Sequence, residues 1–252
     1  MVAAYLDPAR PRVLAHRGLA LEAPENTLLG FAAAIGLGIE FVETDVHASS
    51  DGFAVVSHDS DLQRVAGRRG VVADFTMAQL RTVDLGFDQG FCSLAEALDV
   101  FPETRFNIDV KSEDAIEPTA RAIREANATH RVLVTSFSER RRRATTRLLP
   151  GVATSASAPV FAAALLAARA GATPLLRRIL RDVDALQVPE RALGISVTTE
   201  RMIRLFHAAG VEVHIWTIND EPAMHRLLDV GVDGIVTDRA DLALSVIAER
   251  RG

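Results

Sequence analysis

Short apolar runs alternate with longer amphipathic stretches along almost the whole chain. Eight of these runs have the length and the valine, isoleucine and phenylalanine content of buried strands. They are Val13–His16, Phe41–His47, Phe106–Lys111, Val132–Phe137, Val152–Ser155, Ala185–Val188, Val211–Ile218 and Gly234–Thr237. A further run, Phe53–Ser57, follows the second one closely and is an additional strand candidate.

Helical periodicity fills the intervals between the runs. The predicted helices are Thr27–Leu37, Met77–Val83, Leu94–Phe101, Ala115–Ala126, Arg140–Leu149, Pro159–Ala170, Thr199–Ala209, Glu221–Val230 and Asp241–Arg250. Such alternation predicts parallel strands with crossover helices, and eight units favour an α/β fold closed into a (β/α)8 TIM barrel. An open Rossmann sheet is the competing interpretation. Its glycine loop should follow a strand, whereas Gly36 and Gly38 follow a helix and are typical of a helix C-terminus.

The length and composition fit a single large domain. The chain has 252 residues, 48% of them hydrophobic, and no Pro/Gly/Ser-rich linker divides it. We therefore predict one domain over residues 1–252 with a short insertion at about residues 61–92. Cys92 is the only cysteine, which excludes an intrachain disulfide framework and a cysteine zinc cluster.

Charge and hydropathy restrict the partners and the compartment. The net charge of −5, without a basic tail, disfavours nucleic acid as a partner. The N-terminal residues lack the pattern of a signal peptide, and no stretch is apolar for long enough to span a membrane. These features predict a cytoplasmic protein without a membrane span, and alanine- and leucine-rich helix faces allow a monomer or a homodimer.

Carboxylates lie on strands that should otherwise be apolar. Glu43 and Asp45 share one face of the second strand, because residues two apart point the same way, and Asp109 lies on the third. At the carboxyl ends of barrel strands these three groups would converge and repel one another. A hard cation with oxygen ligands neutralises such a cluster, so Mg²⁺ or Ca²⁺ is predicted, and no cysteine or His-x-x-x-His spacing favours a transition metal.

Histidines and cationic side chains accompany the carboxylates. His16 ends the first strand and His58 follows the additional run, while Arg17 and Lys111 lie close to them in sequence. Arginine suits bidentate phosphate binding, and histidine transfers protons near neutral pH. This combination indicates phosphoryl chemistry with acid–base help. Asp59, by contrast, is interpreted as an ordinary loop or cap residue.

Several short motifs occur in a specific order. They are AHRG at 15–18, PENT at 24–27, ETDV at 43–46, DG at 51–52, VVSHD at 55–59, NIDVK at 107–111, WTIN at 216–219 and GVDGIVTDRADLA at 231–243. Each motif alone is weak, but the ordered set is specific and covers nearly the whole chain. In this set the chain resembles the glycerophosphodiester phosphodiesterase family.

The resemblance implies a TIM barrel, an activity and a metal. Family members hydrolyse glycerophosphodiesters to an alcohol and sn-glycerol 3-phosphate with a divalent cation, here Mg²⁺ or Ca²⁺, with Mn²⁺ as a further candidate. By resemblance, Glu43, Asp45 and Asp109 are the metal ligands. His16 and His58 are the acid–base pair.

The resemblance also implies residues that contact the substrate. Arg17 and Lys111 match positions that contact phosphate. Asn26 matches the asparagine of PENT, which would contact phosphate or support a ligand. Trp216 matches a tryptophan that lines the pocket. The substrate is accordingly expected to be a small molecule.

Two positions depart from the family pattern. Asp109 stands where the family more often has glutamate, so its carboxylate is one methylene shorter. His47 stands where glutamine or another polar residue is usual, and could add a ligand or a substrate contact.

Other interpretations stay open from the sequence. A lysophospholipase D would cleave the same bond in a lipid-bearing substrate, and a catalytically silent barrel would act as a binding module. A phosphatidylinositol-type phospholipase C is more distant. The nucleophile could be water or the substrate's own 2-hydroxyl. His16 is favoured as the base and His58 as the acid, but the sequence does not fix this order.

Overall fold

Eight parallel strands form a nearly closed barrel in the computed structural model, which describes residues 4–7 and 9–250. The strands in chain order are β1 (Arg12–His16), β2 (Phe41–Ala48), β3 (Ala54–Val56), β4 (Arg105–Val110), β5 (Val132–Thr135), β6 (Ala153–Thr154), β7 (Ala185–Val188), β8 (Arg191–Ala192), β9 (Ile195–Ser196), β10 (Glu212–Ile215) and β11 (Gly234–Thr237). Barrel neighbours follow the order β6, β5, β4, β2, β1, β11, β10, β7. A single parallel bridge between Ser155 and Ala185 joins β6 to β7. The predicted (β/α)8 fold is confirmed.

Helices connect the strands and cover the barrel. They are α1 (Leu28–Gly36), α2 (Gln63–Ala66), α3 (Met77–Arg81), α4 (Leu94–Val100), α5 (Ile116–Glu125), α6 (Glu139–Leu148), α7 (Ala158–Arg169), α8 (Thr173–Leu180), α9 (Glu200–Ala208), α10 (Glu221–Asp229) and α11 (Ala240–Glu249). Their apolar faces pack on the outer faces of the strands, as where Leu98 and Ile123 join Val42 and Ile108 in one buried cluster. No helix in the described part of the chain has the length and apolarity to cross a membrane.

The elements differ from the sequence prediction in three places. The barrel strands β4, β5 and β10 end before Lys111, Phe137 and Trp216, which lie in the loops just beyond them. The short helices α2 and α8 and the β8–β9 hairpin were not predicted. The four residues of α2 and the two-residue strands of the hairpin are too short to carry periodicity, whereas α8 is amphipathic over eight residues, buries Leu176 and Leu180, and was missed by the sequence analysis.

Beyond the barrel rim, β2 continues into a hairpin. Its last residues pair antiparallel with β3, with His47 opposite Val55. The following segment, residues 61–92, was predicted as a short insertion, and it packs Leu62, Met77 and Leu80 against Val55 in a small apolar cluster of its own. The single-domain interpretation of residues 1–252 stays a prediction.

The amino end of the barrel is sealed by side chains. A 3-10 turn over Ala4–Leu6 inserts Tyr5, which is 1% exposed and packs edge-on against Phe41 with ring centroids 5.3 Å apart. Beside it, Arg12 forms two hydrogen bonds of 2.9 Å to the carboxylate of Glu212. The barrel is therefore closed at this end and open at the carboxyl ends of its strands.

Candidate active site

A cavity of about 200 Å³ opens at the carboxyl ends of the barrel strands. Eight of the nine predicted site residues line it, namely His16, Arg17, Glu43, Asp45, His58, Asp109, Lys111 and Trp216. They converge because each lies on a strand end or in the loop that follows it. The ninth, Asn26, lies behind the cavity wall. There it donates a hydrogen bond of 3.3 Å to Asp45 and accepts one of 2.7 Å from Thr44.

The carboxylates come together through the register of β2 and β4. Asp45 is paired with Asp109, and Glu43 with Asn107, so that all four side chains face the barrel interior at two adjacent levels. The Lys111 ammonium lies between two of the acids. It is 2.8 Å from Asp45 Oδ1 and 2.7 Å from Asp109 Oδ2. Lys111 was expected to contact phosphate, and in this structure its nitrogen contacts these two carboxylates.

The pKa values of the three acids are shifted in different directions. Burial, and then the neighbouring charge of Asp45, raise the pKa of Glu43 well above its ordinary range. Burial acts in the same direction on Asp45, but Lys111 and Arg17 outweigh it and the pKa of Asp45 is lowered. Burial raises the pKa of Asp109 in spite of its bond to Lys111. Fully ionised, the three carboxylates would outnumber the adjacent cations, Lys111 and Arg17, by one.

This excess of acceptors fits a cation. Asp109 Oδ1 and Asn107 Oδ1 are buried without a hydrogen-bond partner, and oxygen atoms of this kind are the usual ligands of Mg²⁺ and Ca²⁺. Glu43, Asp45 and Asp109 do not place one oxygen each within 4.8 Å of the others, and the Lys111 ammonium lies between Asp45 and Asp109. Among the described residues, the group that meets this distance is Glu221, His225 and Glu249 on the outer helices.

Each histidine of the cavity is bound by an aspartate. His16 Nδ1 is 2.6 Å from Asp238 Oδ1, and His58 Nδ1 is 2.8 Å from Asp59 Oδ1. Both imidazoles are thus left with Nε2 available to a molecule in the cavity. The interpretation of Asp59 as an ordinary loop residue was wrong, because its carboxylate binds both His58 and Arg64.

Two supporting residues were missed by sequence reasoning. Asp238 follows β11 directly, and Asn219 donates a hydrogen bond of 2.7 Å to it. The sequence did carry a signal. Asp238 lies in the motif GVDGIVTDRADLA and Asn219 in WTIN, and both follow predicted strands, where polar side chains face the site. The pairing of Asp238 with His16, however, depends on the tertiary contact between the first and last barrel strands.

The backbone around Arg17 positions its side chain. Arg17 adopts φ 61°, and its N–H donates a 2.9 Å hydrogen bond to the Glu43 carbonyl. Gly18 follows at φ 85°, where a Cβ would lie 2.7 Å from the backbone of Gly30, so only glycine fits between β1 and α1. The guanidinium lies 3.1 Å from Glu25 and 3.4 Å from Asp45.

Trp216 and His47 have different surroundings. Trp216 lines the cavity beside Phe137, with ring centroids 6.2 Å apart, and these two rings form an aromatic wall. His47 does not reach the cavity. Its Nε2 lies 3.1 Å from the carbonyl oxygen of His58, so it supports the loop that carries this histidine. Burial lowers the pKa of His47, which favours the neutral ring as the donor of that bond.

Comparison with known proteins identifies the family. Residues 16–242 match the glycerophosphoryl diester phosphodiesterase family. The chain belongs to this family. A Mycobacterium tuberculosis protein named probable glycerophosphodiester phosphodiesterase 2 is 44% identical over 239 residues, covering 94% of this chain and 90% of that protein. The chain is accordingly an enzyme of the phosphoric diester hydrolase class, as predicted.

Solved structures share the fold. A structure from Silicibacter pomeroyi superposes with a TM-score of 0.81 at 22% identity, over 99% of this chain and 98% of that one, and shows the common barrel. A phosphodiesterase from Oleispira antarctica, solved in complex with the product sn-glycerol-3-phosphate, has a TM-score of 0.77 at 27% identity, with 95% and 97% of the two chains covered.

Proposed function

We propose that the enzyme hydrolyses small-molecule glycerophosphodiesters to an alcohol and sn-glycerol 3-phosphate, with a divalent cation and with His16 and His58 as the proton-transferring groups. The observation that carries this proposal is that one cavity is lined by both histidines, each bound at Nδ1 by a carboxylate, beside Arg17 and Lys111. The product in the Oleispira antarctica structure supports the assignment of sn-glycerol 3-phosphate.

Glu43, Asp45 and Asp109 would hold the cation, with Mg²⁺ or Ca²⁺ preferred and Mn²⁺ as a further candidate. When bound, it supplies Lewis-acid polarisation of the phosphate oxygens. The partnerless Asp109 Oδ1, and the negative charge of Asp45 that adds to burial in raising the pKa of Glu43, support a cation at this place. Asp109 is one methylene shorter than glutamate, and its bond to Lys111 already orients it.

His16 accepts the proton of the attacking oxygen. Its Nδ1 partner Asp238 has no arginine or lysine within 4.0 Å among the described residues, and its carboxylate stabilises the imidazolium that forms. The charge of Asp59, the partner of His58, is shared with Arg64 at 2.5 Å. This difference favours His16 as the base.

His58 donates a proton to the departing alcohol. The bond from phosphorus to the alcohol oxygen breaks, and the proton from His58 converts the alkoxide into the neutral alcohol. The new bond forms between phosphorus and the attacking oxygen; water gives sn-glycerol 3-phosphate directly, whereas the substrate's 2-hydroxyl gives a cyclic phosphate that water must then open. Arg17 contacts the phosphate from the side of Asp45, where its Nε is buried without a hydrogen-bond partner.

The direct test follows release of sn-glycerol 3-phosphate from glycerophosphocholine and glycerophosphoethanolamine. Chelator-stripped protein should be inactive and should recover when Mg²⁺, Ca²⁺ or Mn²⁺ is added back separately. Asp109→Ala should lose this recovery. ³¹P NMR during turnover would detect a cyclic phosphate if the 2-hydroxyl attacks. Activity that survives chelation would contradict the metal, and activity on lysophospholipids alone would establish the lysophospholipase D alternative.

Substitution of the two histidines tests the proton transfers. His16→Ala and His58→Ala should each lower kcat by about 10²–10⁴-fold, because general acid–base groups contribute on that order. His130→Ala is the matched control, since His130 is an exposed histidine in the turn before β5 and does not line the cavity. Near-normal turnover of His16→Ala or His58→Ala would contradict the assignment of that histidine as a proton-transferring group.

A further inference from the structure

A second cavity of about 210 Å³ lies beside the first and shares His58 with it. Its walls come from the β1–α1 loop, from the end of β3 and from the segment of residues 61–92. His58 is the one side chain that lines both spaces. The two cavities therefore adjoin at His58.

An ion-pair network forms the polar wall of this second cavity. Arg64 donates hydrogen bonds of 2.9 and 2.6 Å to the two oxygens of Glu25. Glu25 Oε1 also accepts a bond of 3.1 Å from Arg17, and Arg64 binds Asp59 as well. Two arginines thus face two carboxylates, and both oxygens of Glu25 are engaged.

The opposite wall is apolar. Val65, Leu85 and Phe91 line it, and all three belong to the segment that was predicted as a short insertion. Phe91 is buried, while Val65 and Leu85 are partly exposed and pack on the cluster beneath the segment. The space is therefore half apolar and has no unpaired charge among the residues named here.

We propose that this second cavity binds the alcohol portion of the diester, and that it selects a small uncharged alcohol such as glycerol or a short alkanol. The inference rests on the proposed function, in which His58 protonates the departing oxygen. That oxygen must lie within hydrogen-bond reach of His58, so the alcohol attached to it projects to one side of this residue. The phosphate and its glycerol occupy the first cavity, beside Arg17, and the alcohol extends into the second.

The charges decide against a cationic head group. An ammonium in the second cavity would meet the Arg64 guanidinium, and the carboxylate nearest to it, Glu25, is already bound by two arginines. Phe91 is 3% exposed and offers no free ring face for a quaternary ammonium. An uncharged alcohol can bury its carbon atoms against Val65 and Leu85 at no electrostatic cost.

The test compares three substrates that differ only in the alcohol: methyl glycerophosphate, glycerophosphoglycerol and glycerophosphocholine. The wild-type enzyme should show a kcat/KM for glycerophosphoglycerol about tenfold or more above that for glycerophosphocholine. Leu85→Trp, which fills the cavity, should lower kcat/KM for glycerophosphoglycerol by about tenfold or more and leave the methyl ester within about twofold. Val65→Phe, a second variant that fills the cavity, should act in the same direction and provides the test if Leu85→Trp does not fold.

Val71→Trp is the matched control, because Val71 belongs to the same segment, is 39% exposed and lines neither cavity. It should leave all three rates unchanged. Equal losses on all three substrates, no loss with either filling variant, or a wild-type preference for glycerophosphocholine would overturn the alcohol subsite alone. A wild-type enzyme inactive on every diester, with each cation supplied, would instead overturn the proposed function.

Discussion

Two aspartates outside the predicted ligand set orient the two histidines of the cavity. Asp238 and Asp59 bind Nδ1 of His16 and His58 in the same way, but their own partners differ. Asp238 is held by the neutral amide of Asn219, whereas Asp59 is held by the charged Arg64. Two imidazoles in similar geometry thereby acquire different electrostatic surroundings, which is what a reaction with one acceptor and one donor of protons requires.

Replacing Asp238 with asparagine tests its role. Asp238→Asn keeps the size of the side chain but removes the charge that stabilises a protonated His16, so kcat should fall on the order of 10²-fold or more with KM little changed. Steady-state kinetics on the preferred substrate measure both constants. Asp241→Asn is the control, because Asp241 pairs with Arg239 nearby and does not contact a histidine. A kcat equal to that of the control would refute the positioning role.

The sequence predicted the ends of the barrel strands well enough to assemble most of this site. Glu43, Asp45 and Asp109 could be placed because side-chain alternation and the parallel pairing of β2 with β4 determine where they point. The ion pairs could not be predicted in this way. Lys111 bridges two acids because its long side chain folds back over the strand end, and Arg64 reaches Glu25 across 39 residues of sequence.

Among the elements, β1 and β10 are joined by a buried ion pair at the amino end of the barrel. Arg12 is 1% exposed at its side chain, and its partner Glu212 also binds His214, 3.1 Å away. Gly234 of β11 lies beside that histidine, where a Cβ would come within 2.8 Å of the ring. The strand pattern does not predict this ion pair. In the sequence, Glu212 and His214 are only polar interruptions of an apolar run.

Removing the Glu212 charge should destabilise the fold. Glu212→Gln removes the carboxylate charge that accepts two hydrogen bonds from the buried Arg12, so the free energy of unfolding at neutral pH should fall by about 3–5 kcal/mol. Urea unfolding measures this change. Glu200→Gln, in the exposed pair with Arg204 on α9, is the control and should cost about 0.5 kcal/mol or less. Equal effects of the two substitutions would show that the Arg12 pair is not a major source of stability.

The same pair gives a defined pH dependence. Burial acts to raise the pKa of Glu212, but Arg12 and His214 outweigh it and lower the pKa from 4.5 to about 2. Since the folded-state pKa lies below the unfolded one, the stabilisation is present above pH 4.5 and is lost as the pH falls towards 2. Unfolding free energies measured across this range should decline less steeply in Glu212→Gln than in the wild type. Parallel curves would contradict the assignment.

Taken as a whole, the barrel has one weak seam. β6 has only two residues, and its contact with β7 is limited to the bridge at Ser155 and Ala185 with a few bonds around it, such as the 2.9 Å bond from Thr154 N to Asp184. Elsewhere in the barrel, by contrast, β2 and β4 pair over six residues. The sequence did predict a strand here, but it could not show how little of the run would pair.

Hydrogen exchange should reveal this difference. Amides of residues 153–156 should exchange faster than those of residues 105–110, because fewer ladder bonds must open together at the seam. Exchange followed by mass spectrometry on peptides that cover the two strands measures both rates. Equal protection would show that β6 and β7 are held as firmly as the rest of the barrel.

The side chains that seal the amino end of the barrel have a consequence for substrate entry and product release. Among the described residues, Tyr5 and Phe41 fill the amino end of the barrel, so substrate is expected to enter and products to leave at the carboxyl ends of the strands. In the arrangement proposed above the alcohol occupies the second cavity, where the Arg64 side chain is 48% exposed, so the alcohol should depart first and leave the phosphate monoester beside Arg17. Bound sn-glycerol 3-phosphate therefore excludes the next substrate and should inhibit the enzyme competitively. The alcohol, which leaves first, should inhibit more weakly and not competitively.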